Sequence, residues 1–126
     1  MFKIKVRDSF SSAHYLKNYK GPCENLHGHN WIVEVEVKGK TLNELGLLID
    51  FKELKKLLKK VLAELDHKVL NEIPFFKNHN PSSEFIAYYI FQKLKAELSS
   101  YPNLVLSSVT VFETENSSAT YYEDIE

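Results

Sequence analysis

The chain has 126 residues, 16 basic against 17 acidic side chains, a formal charge of -1, and 44% hydrophobic and 26% charged residues. That mix belongs to one globular domain spanning residues 1–126 and excludes a disordered or collagen-like chain, while the even charge balance lacks the surplus that phosphate backbones demand, so nucleic acid is not an expected partner. Cys23 is the single cysteine, which rules out an intrachain disulfide and fits a reducing cytoplasm. The first six residues alternate instead of forming an apolar leader, and no apolar run approaches the ~20 residues of a membrane span. A cytoplasmic protein with no membrane partner is expected. A core this small leaves sheet edges for neighbouring copies to cover, so a homo-oligomer is expected too.

Phe2, Ile4, Val6 and Phe10 share one parity with Lys3, Lys5 and Arg7 on the other, and His14 falls on the apolar side, which predicts a half-buried strand. Residues 18–25 are rich in turn formers and predict a loop carrying Cys23. From His27 the alternation resumes, with His27, His29, Trp31, Val33, Val35 and Val37 on one face and Asn30, Glu34, Glu36 and Lys38 on the other; Gly39 should end this second strand. Asp50 and Glu53 look like a capping pair for a helix over 51–65, whose apolar stripe is Phe51, Leu54, Leu58, Val61, Leu62 and Leu65. Asn80 and Pro81 predict the start of a second helix over about 81–99, with Ile86, Ile90, Leu94 and Leu98 on its buried side. Val105, Val109 and Val111 alternate with Leu104, Leu106 and Phe112, residues 114–117 can turn, and residues 119–122 can return, which closes the chain with a hairpin. The order ββααββ predicts an α+β architecture, an antiparallel sheet with two helices on one face.

Two residues apart on a strand, His27 and His29 project to the same side, close enough to reach one ion, and His14 can add a third nitrogen. Neutral imidazole suits Zn²⁺, and three histidines with an open fourth position form the pattern of a catalytic zinc site. Ordinary histidines near a loop are the alternative, yet two imidazoles on an otherwise apolar stripe call for a reason. Cys23 is either a small buried hydrophobe or a thiolate base beside the ion. Asp66 and His67 are either a solvated helix end or an Asp that orients a His for proton transfer. Glu113 shares the parity of Val109 and Val111, so its carboxylate either points to water at a strand end or meets paired N–H donors of a substrate. Glu84 sits in the first turn of the second helix, where it favours the helix dipole.

Taken together, Ser12-Ala13-His14, Cys23-Glu-Asn-Leu-His-Gly-His-Asn30, Leu65-Asp-His-Lys68, Pro81-Ser-Ser-Glu84 and Val111-Phe-Glu113 resemble, in order and over nearly the whole chain, the family of 6-pyruvoyltetrahydropterin and 6-carboxytetrahydropterin synthases. The resemblance implies a tunnelling fold, in which subunit sheets join into a barrel and two trimers stack as a hexamer. It implies zinc on His14, His27 and His29, Cys23 as catalytic base, and an Asp66–His67 relay reaching the site of an adjacent subunit. Glu113 would anchor the amino and ring N–H groups of a pterin triphosphate substrate, and Glu84 would belong to the pocket wall. Ser82 and Phe85 depart from the Thr and Asn that the family often carries. Glu24, directly after Cys23, is a possible catalytic residue, since members that make the folate precursor use a glutamate near this position.

Overall fold

In the computed structural model, which describes residues 1–18, 21 and 25–123, strand β1 (Phe2–His14) is followed by β2 (His27–Gly39), helix α1 (Phe51–Leu62), two short 3₁₀ turns (Leu70–Glu72 and Pro74–Lys77), helix α2 (Ser83–Glu97), a further 3₁₀ turn (Leu98–Ser100), β3 (Val105–Thr114) and β4 (Ser117–Tyr122). The four strands form one antiparallel sheet in the order β1-β2-β3-β4. The ββααββ order and α+β class predicted above are those observed.

Strand parity decides which face is covered. Val6, Phe10, Trp31, Val33, Val35, Val37, Val109 and Val111 are all buried, and they meet Leu54, Leu58, Val61, Ile86, Ile90 and Leu94 of the two helices in one core. Each such side chain contributes roughly 1.5–3 kcal/mol by leaving water. The opposite parity is charged and cross-paired: Arg7 Nε lies 2.8 Å from Glu34 Oε2, and Lys5 lies within 3.9 Å of both Glu34 and Glu36. At Gly39, the last residue of β2, there is no room for a side chain, since a Cβ would come within 2.6 Å of the Asn103 carbonyl oxygen and 2.7 Å of Leu48.

Several local expectations are corrected. The first helix stops at Leu62, three residues early, as the chain tightens through hydrogen bonds from Leu65 and Asp66 N–H to the Leu62 carbonyl. Leu65 still reaches the core, whereas Phe51 lies 54% exposed and does not join the stripe. Asp50 caps α1 by accepting from Lys52 N–H, but the reciprocal half of the pair is not made, and Glu53 instead accepts from the Tyr101 hydroxyl at 2.8 Å. The second helix begins later than expected, with Ser82 as its N-cap, accepting from Phe85 N–H; Asn80 and Pro81 are thereby freed for other bonds. In β3 the apolar parity switches: Leu106 and Val109 are both buried because Val37 pairs with Leu106 while Glu36 pairs with Ser108, a bulge that pairing by strict alternation does not foresee.

Beyond α1 the chain does not leave β1. His67 N–H donates to the Ser11 carbonyl, Ala13 N–H donates to the Lys68 carbonyl, and Ala13 bridges Val69 in parallel. Residues 66–69 thus cover the end of the β1 edge nearest the histidines.

Candidate metal centre

The ladder between β1 and β2 sets His14 directly opposite His27 and Ser12 opposite His29. All three imidazoles lie on the buried side of the sheet, over Trp31, whose ring is fully buried and stands 4.8 Å from His14 and 5.1 Å from His29, centroid to centroid. Trp31 Nε1 donates to the Ser12 carbonyl at 3.2 Å, which fixes this floor. The fourth member arrives from β3. Ile32 pairs with Phe112, and the next residue, Glu113, is skipped by the β4 ladder between Phe112 and Thr114. Glu113 continues the parity of Val109 and Val111, which face Val35 and Val33, so its side chain projects to the histidine face, and Glu113 Oε1 comes to 3.0 Å from His29 Nε2 and 3.7 Å from His14 Nε2. Ligand atoms of His14, His27, His29 and Glu113 all lie within 4.8 Å of one another.

The hydrogen bonds behind these rings determine what the cluster can hold. His14 Nδ1 faces the Pro81 carbonyl at 2.7 Å, and His27 Nδ1 faces the Asn25 carbonyl at 2.6 Å. A carbonyl only accepts, so both Nδ1 atoms carry the proton, and in the neutral rings both Nε2 atoms present bare lone pairs. Those two nitrogens stand 3.0 Å apart. An added proton is disfavoured there: burial holds the His14 imidazolium below the ordinary histidine value, reinforced by His27 and His29 and opposed by the Pro81 bond and Glu113. His29 Nε2 is buried and has no hydrogen-bond partner, despite the nearby Glu113 oxygen. Converging lone pairs with no proton between them fit a cation; two imidazole nitrogens on one tetrahedral zinc would stand about 3.3 Å apart. The carbonyls behind them are the outer partners that metal-bound histidines use to fix their tautomer. The group can therefore hold a metal ion.

Not every expected residue joins this group. Cys23 and Glu24 lie outside the described residues. Asp66 and His67 form their own pair, with His67 Nδ1 2.9 Å from Asp66 Oδ2. Neighbours in sequence can touch here because His67 takes a left-handed φ of 55°. Asp66 also accepts from Ser11 N–H at 2.9 Å, and that backbone bond, with the His67 bond behind it, lowers the carboxyl below its ordinary value. The His67 side chain is 82% exposed. Among the described residues, the dyad is not part of the metal group of its own chain. Glu84 is exposed in the first turn of α2, three residues beyond the carbonyl that holds His14.

Sequence reading did not find the carbonyls of Asn25 and Pro81, since main-chain acceptors leave no residue-type signal. Ser12, buried and donating to the Leu65 carbonyl, was legible only as a member of a motif.

Comparison with known proteins agrees with this geometry. A family model described as 6-pyruvoyl tetrahydropterin synthase matches residues 3–124. The chain is 35% identical, over 91% of its length and 91% of the relative's, to a protein of Dictyostelium discoideum named 6-pyruvoyl tetrahydrobiopterin synthase. It is 33% identical, over 98% of its length and 100% of the relative's, to a 6-carboxy-5,6,7,8-tetrahydropterin synthase of Haemophilus influenzae. Its fold superposes on 6-pyruvoyl tetrahydropterin synthase of Caenorhabditis elegans with a TM-score of 0.87 and 34% identity, covering 98% of this chain and 96% of that one. With its histidine cluster, strand order and near full-length match all in agreement, the chain belongs to the 6-pyruvoyl tetrahydropterin synthase family.

Proposed function

We propose that the chain is a zinc-dependent lyase that converts 7,8-dihydroneopterin triphosphate to 6-carboxy-5,6,7,8-tetrahydropterin with release of acetaldehyde and triphosphate, a step serving the 7-deazaguanine base queuosine. The observation that carries this reading is the convergence of three imidazole nitrogens, two of them held as bare Nε2 lone pairs by carbonyls behind the rings. Zinc bound by His14, His27 and His29 would supply Lewis acidity toward the side-chain oxygens of the substrate. The remaining work falls to the chain. Cys23 takes the carbon-bound proton; His67, its Nδ1 held by Asp66, returns protons through its exposed edge to the site of an adjacent subunit. Glu113, beside His29 in the cluster, pairs with the amino and ring N–H groups of the pterin, and Glu84 contributes to the wall. The same reading makes the protein a cytoplasmic homohexamer of two stacked trimers, supported by the two outer strands β1 and β4 of the sheet.

Elimination to 6-pyruvoyltetrahydropterin is the second reading, favoured by relatives of that name as similar as those named for the carboxy product. Glu24 would add a third outcome, cleavage to 6-hydroxymethyl-7,8-dihydropterin. Incubating the protein with the triphosphate and identifying the pterin by mass separates the three, and acetaldehyde should accompany only the first. A zinc-stabilised binding module is the non-enzymatic alternative. Cys23→Ala with intact zinc content and no turnover supports catalysis; unchanged turnover removes Cys23 from the chemistry.

A further inference from the structure

The Pro81 carbonyl that sets the His14 tautomer is itself held from two sides. On one side the Asn80 carbonyl accepts from Ser82 N–H at 2.8 Å, closing a tight turn around Pro81, whose ring restricts its φ, and Ser82 goes on to cap α2. On the other side the Asn80 side chain reaches back to the exit of β1: Oδ1 accepts from Lys17 N–H at 2.8 Å and Nδ2 donates to the Lys17 carbonyl at 3.1 Å. Asn71, which is buried, makes the same two bonds to Tyr15, next to His14, at 3.0 and 2.9 Å. Each carboxamide satisfies both main-chain groups of one residue, as a neighbouring strand would, and among short side chains only asparagine carries that donor and acceptor together.

These bonds join the two parts of the chain whose separation the cluster depends on. His14 Nδ1 stands 2.7 Å from the Pro81 carbonyl although the two residues are 67 apart in sequence. Asn80 directly precedes the residue that carries this acceptor, and it grips the segment that leaves the ligand; Asn71 grips the same segment one residue after His14. Ligand and acceptor are thereby fastened to each other close to both ends. We propose that Asn80, with Asn71 beside it, is a positioning residue of the metal centre: its amide clamp keeps the Pro81 carbonyl behind His14, so that Nδ1 holds the proton and Nε2 presents the lone pair to the cation. This inference rests on the metal-binding reading of the cluster given above. Losing the partner that orients a metal-bound histidine weakens metal binding by roughly 10- to 100-fold, because the metal must then order the ring by itself.

The test titrates zinc alone into the full chain in competition with a chromophoric chelator, and follows the melting of the metal-free protein beside it. Asn80 is only half-buried, so Asn80→Ala should keep cooperative melting. Its zinc affinity should nevertheless fall about 10- to 100-fold, although every imidazole and both carbonyls are retained. Asn80→Asp keeps the acceptor for Lys17 N–H and loses the donor, so it should lose less. Lys17→Ala should bind zinc as the parent does, since the clamp takes only main-chain groups at that position. Parental zinc affinity in Asn80→Ala would overturn the inference, as would an equal loss in Lys17→Ala. Loss of cooperative melting in both Asn80 variants would overturn it too, because the clamp would then support the fold instead of the ligand. A parent protein that binds no zinc fails differently, by removing the metal-binding reading itself.

Discussion

The histidine cluster and the Asp66–His67 dyad are both built from imidazoles backed by oxygen acceptors, yet they occupy opposite physical situations. His14 is 1% exposed, locked behind by a carbonyl and below by a buried tryptophan ring, and its cationic form is disfavoured. His67 is 82% exposed, backed by a carboxylate whose charge is stabilised by Ser11 N–H and His67, and turned outward by a left-handed residue. The cluster is assembled within one chain; the dyad faces solvent at the covered end of an outer strand. The contrast teaches that burial and carbonyl partners can converge bare imidazole nitrogens on a point where a cation fits, whereas a ring backed by a carboxylate at a left-handed turn is held in place yet left open to solvent.

The largest expected effect comes from the cluster. His29→Ala should abolish stoichiometric zinc in elemental analysis and reduce turnover by more than the roughly 100-fold that loss of an outer partner costs. Retained stoichiometric zinc would show that this imidazole is not a ligand. Next comes the dyad: His67→Ala should leave zinc content unchanged and lower kcat by about 10²–10⁴-fold. If the dyad serves a neighbouring subunit, mixing and reassembling His29→Ala with His67→Ala protein should restore measurable turnover, because some sites then receive both intact halves; no recovery from verified mixed oligomers would place the relay within one chain.

Stability should separate the two regions as well. Trp31→Ala removes a fully buried ring and its hydrogen bond and should cost about 3–5 kcal/mol in denaturant unfolding. His67→Gly, by contrast, should keep the stability within about 1 kcal/mol of the parent, because glycine accepts the left-handed backbone that a side chain resists. The smallest effect is in acid. The lowered Asp66 carboxyl stabilises the fold above its ordinary value of 3.8, and this contribution disappears as pH falls through the still lower folded value. Asp66→Asn should therefore flatten the acid limb of melting temperature against pH below about 4; an unchanged limb would mean that the dyad bonds do not persist in solution.

Much of this was legible in the residues themselves. Period-two alternation sets the buried face of β1 and β2, and with it the side to which His14, His27 and His29 point, because a strand cannot place residues two apart on different faces. Periodicity likewise determined both helices and the ββααββ order, since amphipathic segments must bury their stripes against something. What the sequence could not decide is whatever depends on main-chain partners distant along the chain. The β2–β3 register that brings Glu113 beside His29, the tightened turn that sets Asp66 against His67, the shift of the second N-cap to Ser82, and the carbonyls of Asn25 and Pro81 that bare the histidine lone pairs all arise from register and closure. Every residue brings the same N–H and C=O, so only the folded chain, by choosing which of them meet, decided where the protons sit and hence that a cation fits.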